Sequence, residues 1–99
     1  MIFRRRERFG DLIARQLDVF AEDEAELIAD VRELEHRYNR TDRDDAEEAY
    51  GDYVDAVDAV KDALADMRDR FASTLAEGTA EEYEDEFENV ARRRWRWLG

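Results

Sequence analysis

The chain has 99 residues, 43% of them hydrophobic, which suits one domain with a modest core of its own. It contains no cysteine, and this excludes disulfides, thiolate metal sites and cysteine nucleophiles. The formal net charge of −12 makes nucleic acid and anionic membranes unfavourable partners for most of its surface.

Charge is distributed unevenly along the chain. Residues 1–15 carry five arginines against two acids, and residues 91–99 carry four arginines and no acid. The intervening stretch, 16–90, carries 26 acids against seven basic residues, a formal charge of −19. The sequence therefore predicts an acidic body with two basic ends.

The first predicted element is a long helix over about 7–38. From Ile13 to Tyr38, apolar residues recur at alternating intervals of four and three, which is the spacing of a heptad seam. Glu24 occupies one position of this seam. Phe3 and Phe9 lie near the start of the chain, where we expect aromatic side chains to remain available for contact with a partner.

A second helix is predicted over about 42–77, with Thr41 as its N-cap. Its seam residues follow the same rhythm as those of the first helix: Tyr50, Tyr53, Val57, Val60, Leu64, Met67 and Phe71. An aspartate row on the opposite face indicates a solvated surface. The apolar face therefore needs a neighbouring helix to cover it.

A third, shorter helix is predicted over about 80–97, after Gly78 as a C-terminal cap and Thr79 as an N-cap. If this helix persists to its end, Trp95 and Trp97 lie about 200° apart on its surface. Both cannot then face one core. We expect at least one of them to be left for an interface, because large exposed aromatics are typical of protein contacts.

Together these elements predict an all-α fold in which an antiparallel hairpin of two long helices carries a shorter third helix, in an oligomeric assembly. If the first turn lies near residue 41, facing positions in the first two helices sum to about 84. The third helix then runs parallel to the first. This places Arg92, Arg93, Arg94 and Arg96 beside acids near residues 20–24 and 60–64, which they would neutralise.

Two further residue pairs suggest chemistry. Glu24 and Lys61, the single lysine, should face each other as a structural ion pair that fixes the hairpin register, and a catalytic pair with shifted pKa values is the sharper alternative. Glu33 and His36 have the Glu-x-x-His spacing of carboxylate metal sites in helical bundles. Both lie opposite the apolar stripe, which favours a solvated histidine.

These patterns favour a non-enzymatic cytoplasmic protein, without cofactor, that acts by protein–protein interaction and first by self-association. No apolar run reaches the roughly 18 residues of a transmembrane helix, and the basic start lacks the apolar stretch of a signal peptide. The alternative is peripheral binding to anionic membrane or nucleic acid through the arginine–tryptophan tail. A carboxylate metal site at a dimer interface is the third hypothesis.

Overall fold

The computed structural model describes residues 8–99, and in this range the chain is helical without strands. Its elements are α1 Gly10–Asp23, α2 Ala25–Arg40, α3 Ala46–Ala72, α4 Glu77–Arg94 and a C-terminal 3₁₀ turn, Arg96–Leu98. The predicted all-α class is therefore confirmed for the described residues. None of the helices in this range is long and apolar enough to cross a membrane.

The long first helix predicted over about 7–38 is divided in the structure into α1 and α2. Glu24 separates them with φ −111° and ψ 31°, outside the helical region. The break is local, because the Glu24 amide still donates to the Phe20 carbonyl at 2.8 Å and the Glu24 carbonyl accepts from the Ile28 amide at 3.1 Å. It coincides with the single acid of the seam, whose full burial without a partner would be costly.

Both turns differ from the predicted caps. Thr41 does not cap the second helix, since its hydroxyl donates to the Arg37 carbonyl at the end of α2. Helix α3 begins four residues later than predicted, with Asp45 at its cap position. Because the turn spans residues 41–45, the midpoint of the α2–α3 connection lies later in the chain than the predicted turn near residue 41.

The second turn lies earlier than predicted. Helix α3 ends at Ala72, and the hydroxyls of Ser73 and Thr74 donate to the carbonyls of Arg70 and Phe71, both at 2.7 Å. The Ser73 hydroxyl satisfies the carbonyl of Arg70 at the helix end, and the Phe71 carbonyl accepts the Thr74 amide at 3.0 Å as well as its hydroxyl. Helix α4 then begins at Glu77, so Gly78 and Thr79 both lie in its first turn. Gly78 therefore does not cap the end of α3, and Thr79 does not cap the start of α4.

Long-range side-chain contacts define how the helices run. Helix α3 lies antiparallel to both α2 and α4, whereas α4 runs parallel to α1. The pairs that show this are Arg37–Asp52 and Tyr38–Tyr50 for α2 and α3, Arg68–Glu88 and Phe71–Tyr83 for α3 and α4, and Arg8–Glu82 and Asp18–Arg94 for α1 and α4.

One continuous core connects two regions of the molecule, the base and the arm. The base consists of α1, residues 61–72 of α3, α4 and the C-terminal turn, and it holds most of the buried core, including Leu17, Phe20, Tyr83, Phe87 and Trp95. The arm consists of α2 and residues 46–60 of α3, whose buried residues are smaller: Ile28, Val31, Ala49, Val57 and Val60. The molecule measures 51 × 35 × 22 Å, so it is elongated.

Candidate interaction surfaces

The two tryptophans lie in the base and do not form an exposed anchor. Helix α4 ends at Arg94, and Trp95 has φ −126° and ψ 93°, so the helical geometry that would separate the two rings stops before both. Trp95 is 6% exposed and lies 5.8 Å from Phe20, measured between ring centroids. Trp97 is half-buried against the same core, 6.4 Å from Trp95. Trp95 is therefore buried and not left for an interface, whereas an interface role for the partly exposed Trp97 stays a prediction.

Phe9 also packs inward. Its ring meets Tyr83 edge-on at 5.4 Å between centroids, and its amide donates to a Glu86 carboxylate oxygen at 3.0 Å. Phe9 is therefore a half-buried residue that packs against the core of the base, and it is a poor candidate for contact with a partner. Phe3, the other aromatic predicted to contact a partner at this end, lies outside the described residues.

The four arginines of the predicted tail point to different parts of the surface. Arg94 donates to Asp18 at 2.6 Å, and its guanidinium lies 5.0 Å from the Trp95 ring centroid. Arg92 lies 3.9 Å from Glu88, beside a groove between α3 and α4, while Arg93 lines a separate groove between α1 and α4. Arg96 is exposed on the C-terminal turn. Successive helical residues are 100° apart, so these charges do not form one patch.

Arginine–acid contacts do join the basic ends to the acidic body. Arg94 reaches Asp18, slightly before the predicted neighbourhood of residues 20–24, and Arg8 lies 3.5 Å from Glu82. These side chains remain partly or largely exposed, so each pair contributes only about 0.2–1 kcal/mol.

Glu24 and Lys61 line different grooves, which corrects the predicted ion pair. Glu24 lines a groove with Met67 and Arg70, whereas Lys61 is exposed beside Asp62 at the α3–α4 groove. No ion pair joins them within the described range. The physical reason is register: facing residues of α2 and α3 sum to 88 or 89 instead of 84, a shift of about one helical turn.

Glu33 and His36 are exposed on α2. Within residues 8–99, the structure brings together no group of three or more histidine, aspartate or glutamate side chains that could hold a metal ion. The spacing of these two residues along one helix therefore does not extend to a converging ligand set in the described part of a single chain.

The arm carries a cluster of three tyrosines, which we call the tyrosine cluster. Tyr50 lies 5.4 Å from Tyr38 and 6.5 Å from Tyr53 between ring centroids. Tyr38 is 37% exposed and Tyr50 is 52% exposed, and with Val19 they are the large exposed apolar side chains of the described range. Burial, with smaller contributions from Glu35 and Tyr50, raises the pKa of Tyr53.

No family model matches the chain, and no curated protein or solved structure is significantly similar to it.

The tyrosine cluster is the surface that sequence reasoning missed. All three tyrosines follow the heptad rhythm, and the pattern predicts that such positions are buried. In the arm, however, α2 and α3 are each other's main neighbours, and no third helix of the described range packs on the outer end of the pair. The available signal was length: a helix of 18 residues, such as α4, is too short to cover the 27 residues of α3 from end to end.

Proposed function

We propose that this protein is non-enzymatic and acts by protein–protein interaction, first by binding a second copy of itself through its arm. The tyrosine cluster is the observation that carries this proposal. In this view the antiparallel α2–α3 hairpin, supported at one end by the base, is the element that assembles. A cytoplasmic location remains part of the proposal.

The elongated shape of the molecule supports binding of a second chain to the arm. Its radius of gyration is 16.3 Å, compared with about 13 Å for a compact domain of this length. The excess reflects an arm that extends beyond the base. A two-helix arm leaves part of each helix uncovered, and a second arm would complete a four-helix bundle.

The side chains along the arm fit that geometry. Besides the exposed Tyr38 and Tyr50, the arm has half-buried apolar residues on both helices: Leu27, Leu34, Tyr53 and Val54. Tyrosine contributes a large, rigid contact area and is enriched in the centres of protein interfaces. A partner arm would therefore remove from water apolar surface that the single chain leaves exposed.

Charge favours one orientation of a second copy over the other. Residues 44–58, mostly in α3, carry seven acids and no basic residue, whereas residues 30–43, mostly in α2, carry four arginines and four acids. A two-fold arrangement that sets α2 of one chain against α3 of its partner brings a stretch without net charge against the acidic helix. Pairing α3 with α3 would instead oppose like charges.

Light scattering coupled to size exclusion tests this proposal. We expect the wild-type protein at tens of micromolar to have twice the mass of one chain, and the Tyr38→Ala, Tyr50→Ala double variant to have the mass of a single chain. Val19→Ala is the matched control, because Val19 is 50% exposed on α1 in the base. This variant should keep the wild-type mass.

Circular dichroism of each variant separates loss of assembly from loss of folding. A helical double variant with halved mass supports the arm as the interface. A wild-type protein that stays monomeric at these concentrations contradicts self-association. A double variant with unchanged mass contradicts the arm as its site.

A further inference from the structure

A groove between α1 and α4 collects arginines from both sides of the base. It has a volume of about 700 Å³ and is lined by Arg8, Arg15 and Arg93 together with Gly10, Asp11, Leu12 and Val90. The arginines come from positions far apart in the sequence, and the parallel packing of α1 and α4 brings them together. This arrangement is separate from the arm and from the tyrosine cluster.

The groove brings three guanidinium groups together on the surface of a strongly acidic protein. Among the described residues that line it, Asp11 is the single acid against three arginines. Two acids of α4 lie beside it and offset part of this charge: Glu82 lies 3.5 Å from Arg8, and Glu86 accepts the Phe9 amide at 3.0 Å. The side chain of Arg8 is still 61% exposed, and a guanidinium has five donors, so one acid does not exhaust it.

We infer that this groove binds an anion that carries a phosphate group. Guanidinium groups match phosphate with pairs of parallel hydrogen bonds, and arginine is the usual residue for such recognition. The apolar side chains of Leu12 and Val90 suit the organic part of the ligand.

A soluble phosphorylated molecule and a lipid headgroup share this chemistry, and the experiment separates them. In one arm, calorimetry at low ionic strength measures binding of glycerol 3-phosphate and inorganic pyrophosphate to the full chain. In the other, sedimentation measures binding to phosphatidylcholine vesicles with and without phosphatidic acid. Arg15→Gln and the double variant Arg15→Gln, Arg93→Gln remove charge from the groove.

The double variant Arg43→Gln, Arg70→Gln is the matched control, because it removes the same charge from the α2–α3 turn and from the exposed face of α3. We expect sub-millimolar binding to at least one probe, weakened about tenfold by Arg15→Gln and further by the groove double variant. The control should change the dissociation constant by less than about twofold, since it keeps the groove intact.

Binding of a soluble probe supports a site for a free phosphorylated molecule. Binding that is restricted to phosphatidic acid vesicles and is lost in the groove variants supports a headgroup site. Absence of binding to all probes overturns the inference, and so does equal weakening by the groove and control variants, which would indicate nonspecific attraction. Thermal melts of each variant confirm that it is folded, and Arg15→Gln keeps the test valid if the groove double variant unfolds.

Discussion

The base and the arm are built from the same heptad pattern but differ in what it buries. In the base, helices on several sides enclose Ile13, Leu17 and Phe20, whose exposed fractions are 0%, 0% and 2%. In the arm, Tyr38 and Tyr50 also occupy heptad positions, yet their exposed fractions are 37% and 52%. The difference shows that a heptad position is buried only where a neighbouring helix packs against it. Periodicity places apolar residues on one face of a helix, but it does not determine whether another helix covers that face.

The largest expected effect comes from truncating one aromatic in each region. Phe87→Ala should lower the free energy of unfolding by about 3–5 kcal/mol, because it leaves a cavity in the closed part of the core. Tyr50→Ala should change the stability of the single chain by less than about 1 kcal/mol, because its ring is already half in water. Urea unfolding at low protein concentration measures both. Equal losses of unfolding free energy in the two variants would contradict the difference in packing between the base and the arm.

The second prediction concerns alkaline pH and the buried phenol of the base. Burial raises the pKa of Tyr83 above its usual value of 10.0. As pH rises, the unfolded chain therefore releases the Tyr83 proton before the folded chain does. The contribution of protonated Tyr83 to the free energy of unfolding is complete below pH 10 and is lost as pH rises above it. Tyr83→Phe should reduce this alkaline loss, although Tyr53, whose pKa is also raised, retains part of it.

At neutral pH the same variant should lose about 1 kcal/mol, because the Tyr83 hydroxyl donates to Gln16 at 2.7 Å. Urea unfolding at a series of pH values between 7 and 11 gives both quantities. An alkaline loss identical to that of the wild type would show that Tyr83 does not contribute to it.

A smaller effect is expected where the basic end meets α1. Arg94→Gln removes the contact with Asp18 and the cation stacked on Trp95, and it should cost about 0.5–1 kcal/mol at low salt. Added salt should reduce the difference, because it screens the ionic part of the interaction. Arg70→Gln on α3 is the matched charge control. If Arg94→Gln and Arg70→Gln lower the free energy of unfolding equally, the effect is due to the change in net charge and not to the Arg94 contacts.

The smallest effect is expected at the junction of arm and base. Glu24 and Lys61 line different grooves, so Glu24→Gln and Lys61→Met should act additively, with a coupling energy below about 0.5 kcal/mol. A double-mutant cycle measured by urea unfolding tests this. A coupling well above that value would restore the register in which the two residues face each other.

Sequence reasoning was most successful for local features. The helical class followed from the spacing of apolar residues along the chain. It failed at the caps, because Thr41 and Thr79 fit capping patterns that the chain does not use there. A capping hydrogen bond contributes only about 1 kcal/mol, so the packing of neighbouring helices can move the end of a helix several residues away from a capping motif.

By itself, the sequence determined the all-α class, the approximate positions of the helices and the segregation of charge, because each depends on spacing along the chain. Tertiary structure decided the break at Glu24, the α2–α3 register, the burial of Trp95 and the meeting of Arg15 with Arg93. These features depend on contacts between residues distant in sequence. A register shift of one turn preserves the heptad spacing of each helix while it changes which side chains meet.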